Sequence, residues 1–277
     1  MKLLTLNTHS LVESDYQRKL CDFVQAVEKE RPDIIALQEV NQSADGNKAS
    51  ENELTGYFAC EENTVIRGDN HVMNAAKQLW RSGVKYNWTW LKIKKGYGKY
   101  EEGIALMSTG AIIEARVIGV STIDDYCNWK TRKLLGVRTK NTGDNWFFSV
   151  HYGWWNDKEE PFDIQWKKTL ANLPSSSKIW LMGDFNNPAQ VRGEGYDMIK
   201  ESMWYDCYEA ALLKDDGITA TKKIDGWKES MQACDSMRID QIWHNKKTDI
   251  SECKVIFNGK NYPVVSDHYG VWVECEE

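Results

Sequence analysis

Apolar and polar residues recur along this chain with two periods. From Tyr16 to Glu30, Leu20, Phe23, Val24 and Val27 fall at helical spacing, and the run stops before Arg31-Pro32-Asp33, where proline blocks a further turn. The same spacing returns over residues 70–82 (Val72, Ala75, Ala76, Leu79, Trp80) and 161–173 (Phe162, Gln165, Trp166, Thr169, Leu170). The latter opens on Pro161, which suits a first helical turn. Short apolar runs read as buried strands: Lys2 to Asn7, Ile34 to Glu39, Lys178 to Met182, and Tyr269 to Val273 as a closing strand. Residues 103–108, 111–120, 132–139 and 145–150 read as consecutive strands with short links. Alternating strands and helices predict an α/β class. Residues 41–69 and 214–237 are polar and irregular and read as loops at a site rim.

The strand-like runs share a second feature, because each ends in polar chemistry. Leu181-Met182-Gly183-Asp184-Phe185-Asn186 sets a carboxylate and a carboxamide two residues apart, on one side of an extended chain. Such groups at the C-terminal ends of sheet strands mark the ligand edge of α/β proteins. Lys2 to Asn7 ends in an amide, and Ile34 to Glu39 ends in an acid. Phe147-Phe148-Ser149-Val150 ends in His151, Arg238-Ile239-Asp240-Gln241-Ile242-Trp243 carries an acid within a strand, and Ser266-Asp267-His268 precedes the closing strand. Each piece also has an ordinary reading. Asn7 suits a turn, Ser266-Asp267 a turn or cap, His151 a satisfied core histidine, and Glu39 and Asp240 solvated acids. Their joint order along the chain favours function.

That order resembles the endonuclease/exonuclease/phosphatase superfamily, from the first strand to the last. The resemblance implies an α/β four-layer sandwich, with two packed mixed sheets flanked by helices, and Mg²⁺-dependent cleavage of phosphate esters. It does not fix the substrate, which in this superfamily ranges over DNA, RNA tails, phosphoinositides, sphingomyelin and sugar phosphates. Tyr86-Asn87-Trp88-Thr89-Trp90, Gly96 to Ser108 and Ile224-Asp225-Gly226-Trp227 are similar to segments of bacterial maltose 6'-phosphate phosphatases. The pair Glu102-Gly103 also occurs in sphingomyelinase-like and deadenylase-like members.

The chemistry follows from the residue types. A hard cation neutralises a phosphate ester's anionic oxygens and stabilises the charge that develops on attack. Glu39 is the expected ligand of Mg²⁺, or of Mn²⁺ in its place, and Asn7 adds a neutral oxygen. Asp184 is expected to orient and deprotonate water, Asn186 and His151 to hold the non-bridging oxygens, and His268 to stabilise charge opposite the metal. By resemblance, Asp240 is the acid that fixes His268, and Asp267 lies nearer the metal; the sequence leaves their roles interchangeable. Many nuclease members carry Asn-x-Asp or Asn-x-Asn after the first strand. Here Asn7-Thr8-His9 stands instead, which puts a second metal in doubt and leaves His9 a substrate contact or a surface residue.

Charge and aromatic content bear on the substrate. The formal net charge of −6 over 277 residues argues against a nucleic acid partner, which needs a basic stripe. Lys92-Ile93-Lys94-Lys95 and Lys222-Lys223 read first as solvated loop lysines. Thirteen tryptophans are many for this length. Trp88, Trp90 and Trp129 fall near rim segments, and Trp155 and Trp227 are the expected contacts to sugar faces, with Glu102 on the hydroxyls. We find no amphipathic or apolar surface segment for a membrane partner. No linker or repeat divides the chain, so one catalytic domain over 1–277 is expected. The start Met1-Lys2-Leu3-Leu4 reads as a strand rather than a secretory signal, and seven cysteines lack metal-ligand pairing, so a reducing, cytoplasmic setting is expected. The sequence thus predicts a metal-dependent phosphomonoesterase for a sugar phosphate such as maltose 6'-phosphate. A phosphodiesterase with the same catalytic set and a non-catalytic binding module stand as alternatives.

Overall fold

The computed structural model describes residues 1–221 and 236–276. Its strands are β1 (Lys2–Asn7), β2 (Ile34–Ser43), β3 (Asn87–Gly96), β4 (Tyr100–Ser108), β5 (Ile112–Gly119), β6 (Lys133–Thr139), β7 (Asn145–His151), β8 (Lys178–Asp184), β9 (Tyr205–Asp206), β10 (Leu213–Lys214), β11 (Ala220–Thr221), β12 (Ser236–Met237), β13 (Asp240–His244), β14 (Ile250–Ile256) and β15 (Gly270–Cys275). Its α-helices are α1 (Tyr16–Glu30), α2 (His71–Arg81), α3 (Phe162–Asn172), α4 (Gly195–Glu201) and α5 (Cys207–Ala210). The first three match the helical stripes in the sequence. The Asn70 side chain caps α2 by accepting from the Met73 N–H at 3.1 Å.

Two mixed sheets carry the fold, a seven-stranded one ordered β10-β14-β15-β1-β2-β4-β3 and a six-stranded one ordered β5-β6-β7-β8-β13-β9. Strand alternation assigns each face. Leu3, Ile34, Ala36, Ile104 and Leu106 point from the first sheet onto Phe147, Trp180, Met182 and Ile242 of the second. Their neighbours Leu4, Leu6, Ile35 and Leu37 face the other way, onto Leu20, Phe23 and Val27 of α1 and Val72, Ala75 and Leu79 of α2. Behind the second sheet, Phe148, Val150, Ile179 and Leu181 pack on Phe162 and Trp166 of α3 and on Tyr196 and Ile199 of α4. The result is a four-layer sandwich, helices–sheet–sheet–helices, as the sequence predicts. Among the described residues, no helix is long and apolar enough to cross a membrane.

Three expectations change. Trp88 and Trp90 are fully buried in the core under α2 rather than at a rim, because even-numbered positions of β3 face outward onto the helices there. β2 does not end at Glu39 but runs on to Ser43, so the loop begins later than residue 41. No residue of 41–69 lines the site cavity.

Both strands flanking β4 are bulged. In β2, Leu37 pairs with Ala105 and Val40 with Gly103, so Gln38 and Glu39 together oppose Ile104. In β3, Lys92 pairs with Gly103 and Lys94 with Glu102, so Ile93 is the extra residue. A one-residue slip exchanges the faces of a strand. Without it Glu39 would point at the helices. So would Lys94, in step with Trp88 and Trp90.

Candidate functional site

Alternation brings one polar residue from each of several strands to the same end of the gap between the sheets. Asn7 continues the inward series Leu3, Thr5; His151 continues Phe147, Ser149; Asp184 continues Trp180, Met182; and Asp240 precedes Ile242. Pairing fixes their depth, because His151 lies beside Asp184 on parallel β7 and β8, and Asp240 beside Asp184 on antiparallel β13. Gly183 allows the approach, because a Cβ there would stand 2.0 Å from the Val150 carbonyl oxygen.

The bulge turns Glu39 into this group with a left-handed backbone, φ 50°. Side chains reach each carbonyl of the bulge, although Gln38 O also keeps a backbone partner in the Thr8 N–H at 2.9 Å. The Thr8 hydroxyl donates to Gln38 O at 2.8 Å, the Ser10 hydroxyl to Glu39 O at 2.8 Å, and the Trp90 indole to Val40 O at 2.9 Å. Gly103 leaves room for that indole, since a Cβ there would meet Trp90 Nε1 at 2.7 Å and the Leu91 carbonyl at 2.1 Å. The buried Gln38 amide ties the two sheets at this point by donating to Ser149 Oγ at 3.0 Å.

Asn7 donates its amide N–H groups to Glu39 Oε1 at 3.0 Å and to Asp184 Oδ2 at 3.2 Å. Burial pushes the Asp184 carboxyl up to about 7; Asp240 and Glu39 add to the rise, and His268 opposes it. Burial also raises Glu39, as do Glu102 and Asp267. His268 Nδ1 lies 2.9 Å from Asp240 Oδ2, and its Nε2 is 3.9 Å from Asp184 Oδ2, beyond hydrogen-bond reach. Burial alone would discharge His268, but Asp240 and Asp184 override it and hold the imidazolium well above its ordinary range. His151 Nε2 is 3.6 Å from Asp184 Oδ2, and burial, Arg132 and Lys94 keep its ring neutral. The Asn186 amide is fixed at both ends, donating to Tyr152 O at 2.9 Å and accepting from the Trp154 indole at 3.0 Å.

These groups open into a cavity of about 360 Å³, lined by Glu39, Asp184, Asn186, His151 and His268 on one side and by Lys94, Glu102, Tyr97, Trp129, Arg132 and Trp154 on the other. The expected catalytic residues therefore converge. Asp240 and Asn7 stand behind His268 and Glu39 and position them.

Other assignments differ. Trp154, not Trp155, walls the cavity; Trp155 is half-buried and packs against the core under α3. Trp227, like Lys222 and Lys223, lies outside the described residues. His9 is not a wall residue; its Nδ1 is 2.8 Å from Glu13 Oε1 and its Nε2 is 2.9 Å from the Tyr97 hydroxyl. Its charge is stabilised the same way: burial disfavours it, but Glu13 and Asp267 raise the imidazole to about 8. Asp267 sits with this pair, its Oδ1 3.9 Å from His9 Nδ1. Glu102 is buried and ion-paired to Lys94 at 3.1 Å. Lys94 is not a solvated loop lysine but an 8% exposed strand residue facing inward. Sequence reading missed Arg132 altogether. The one available signal was its place just before a strand that feeds the same sheet edge.

The donor set suits a hard cation. Glu39 and Asp184 are carboxylates whose charges are disfavoured by burial and by neighbouring acids, Glu102 and Asp267 for the first and Asp240 and Glu39 for the second, and oxygen is the donor atom throughout. Glu39 and Asn7 are the groups placed to hold it; here the Asn7 amide presents its nitrogen to Glu39 and its oxygen accepts from the His9 N–H at 3.3 Å, so a bound cation would need the amide turned over. Among the described residues, two other groups bring ligand atoms close together, Asp184 with Asp240 and His268, and His9 with Glu13 and Asp267; in each a charged histidine already neutralises the acids.

The sequence matches the model of the Endonuclease/Exonuclease/phosphatase family over residues 4–268. Among solved structures, an endonuclease/exonuclease/phosphatase family protein from Leptotrichia buccalis C-1013-b is similar at 29% identity over 100% of both chains, with a TM-score of 0.86. A mannosyl-6-phosphatase from Bacteroides thetaiotaomicron VPI-5482 shares the fold at 17% identity over 100% of both chains, TM-score 0.62. So does D. rerio TDP2 complexed with a single-strand DNA product, at 14% identity over 100% of this chain and 99% of that one, TM-score 0.61. No curated protein matches the sequence significantly.

Proposed function

Because the chain belongs to the endonuclease/exonuclease/phosphatase family, and so is a metal-dependent phosphoesterase, we propose that it hydrolyses a small phosphate monoester, foremost a sugar phosphate such as maltose 6'-phosphate. The observation that carries this reading is the cavity. At about 360 Å³ it has small-molecule size, and its described walls are aromatic and ionic. The net charge of −6 speaks against a polynucleotide partner.

In this reading Glu39 and Asn7, with Asp267 acting on Glu39 through space, would hold Mg²⁺ or Mn²⁺, which would supply charge neutralisation at the phosphoryl group. Asp184 aligns the attacking water and takes its proton, a task suited to a carboxyl raised to about 7. His268, kept charged and oriented by Asp240, donates from Nε2 to a phosphoryl oxygen. The remaining N–H of Asn186 and the neutral His151 contact the other oxygens, with Trp154 fixing the Asn186 amide. Trp129, 49% exposed at the cavity mouth and packed on Trp154 with ring centres 5.5 Å apart, offers its face to a sugar ring in place of Trp155. The described cysteines are free thiols, in keeping with the cytoplasm as the compartment.

The test is phosphate release in Mg²⁺, with an EDTA control, from maltose 6'-phosphate, glucose 6-phosphate and other monoesters. Abasic DNA, sphingomyelin and an aryl diester are assayed beside them. EDTA-sensitive release from the disaccharide phosphate supports the proposal. Diester cleavage with inert monoesters transfers the same machinery to a phosphodiesterase, and no turnover of any ester leaves a binding module.

A further inference from the structure

Arg132 is a buried cation whose hydrogen bonds go to neutral groups. It is 7% exposed; its Nη1 donates to the carbonyls of Trp129 at 2.8 Å and Thr131 at 3.2 Å, and its buried Nε has no partner. Among the described residues it forms no ion pair with a carboxylate. Lys94 reaches the same Trp129 carbonyl at 2.9 Å, and Glu102 balances it at 3.1 Å. Both cations line the cavity together with Asp184, Asn186 and His268, and both charges are felt at His151. Removing a guanidinium from water without a counterion costs several kcal/mol, so such a group is retained where an anion completes it. Glu102 is already paired with Lys94, and Asp184, Glu39 and Asp157 act on Arg132 only through space, so no carboxylate meets the guanidinium directly.

A phosphate monoester is largely a dianion at neutral pH, because its second pKa is near 6. A diester carries a single charge and an ester arm where the second anionic oxygen would be. Resting on the monoesterase reading, we propose that Arg132, with Lys94 braced by Glu102, determines specificity by binding the second charge of a phosphate monoester and so selects it over a diester. With Nη1 committed to the two carbonyls and Nε buried, Nη2 is the part of the guanidinium left for a phosphoryl oxygen, in a direction that a flexible ammonium does not reproduce.

The experiment compares kcat/KM for p-nitrophenyl phosphate and methyl p-nitrophenyl phosphate in wild type, Arg132→Gln and Arg132→Lys, together with competitive inhibition by inorganic phosphate. Arg132→Gln is expected to lower monoester kcat/KM about 100-fold while the diester changes less than about threefold, as loss of one buried charge contact predicts. Inhibition by phosphate weakens in parallel, and Arg132→Lys, which keeps the charge and lets the Trp129 segment fold, recovers part of both. Wild type that prefers the monoester, with variants that lose both esters equally or keep phosphate inhibition intact, overturns the selection and leaves the monoesterase standing. Wild type that prefers the diester overturns both.

Discussion

The strands on either side of β4 each carry a bulge, and each bulge delivers a charged side chain to the same cavity. They are held differently. The β2 bulge sets Glu39 in a left-handed conformation and is closed by dedicated partners: Thr8, Ser10 and the Trp90 indole take the carbonyls of Gln38, Glu39 and Val40. The β3 bulge has no left-handed residue at Lys92, Ile93 or Lys94, and beyond the ladder Lys94 is held at its tip, by Glu102 and by the Trp129 carbonyl. The acid to which we assign a cation is thus fixed through its backbone. The lysine to which we assign substrate is fixed through its tip. Backbone fixing gives a metal ligand one position; tip fixing leaves a recognition group able to adjust.

The largest effect is expected where both walls converge. Asp184→Asn keeps the shape but removes the base, so kcat should fall about 1,000-fold. The melting temperature should hold or rise, because a buried acid raised to about 7 is replaced by a neutral amide. His268→Ala should also abolish turnover. Near-normal rates in either variant would remove the assignment of roles.

Acid sensitivity probes the helix side of the β2 bulge, where His71 shares a small cavity with Thr8 and Ser10. His71 is buried under α1, its Nδ1 3.1 Å from the Tyr16 hydroxyl, and burial depresses its imidazole to about 4. The unfolded chain therefore binds this proton first as pH falls from about 6.5, and folding stability declines until about pH 4. The drop approaches about 3 kcal/mol, and urea unfolding of His71→Phe should show a flatter profile across that window.

Within the β2 bulge, Gly103→Ala should displace the Trp90 indole from Val40 O and cost about 2 kcal/mol, read as a lower urea midpoint. Ser10→Ala removes the shorter of the two hydroxyl contacts to Glu39 O, leaving Thr8 Oγ1 at 3.2 Å, and takes away the acceptor of the Asn41 N–H. Mg²⁺ affinity by titration calorimetry should weaken about tenfold, as loss of an outer-shell support does. An unchanged affinity would show that the backbone holds Glu39 without this support. The smallest effect sharpens the β3 half of the comparison. Lys92 faces outward and pairs with Glu101 at 3.1 Å, so Lys92→Met should change stability by less than about 0.5 kcal/mol and leave kcat/KM unmoved.

Local pattern determined a great deal. Helical spacing marked α1, α2 and α3 to within a residue or two, because those stripes pack on one face of a sheet. Strand alternation, read from apolar runs ending in Asn7, His151, Asp184 and around Asp240, located the acidic half of the site. Each residue there continues the inward series of its own strand, so its direction is a local property. Lys94 and Arg132 were not legible in that way. Lys94 shares the parity of the core residues Trp88 and Trp90, and the inserted Ile93 reverses its face through pairing with a strand that the local sequence does not name. Arg132 precedes β6, and its burial comes from the Trp129 segment folding over it. The choice of Trp154 over Trp155 is likewise made by tertiary contact, since adjacent aromatics in an irregular turn carry no periodicity to tell inside from outside. Periodicity set which residues line the inner faces. Register, bulges and loop packing are agreements between distant segments, and only the folded chain decides them.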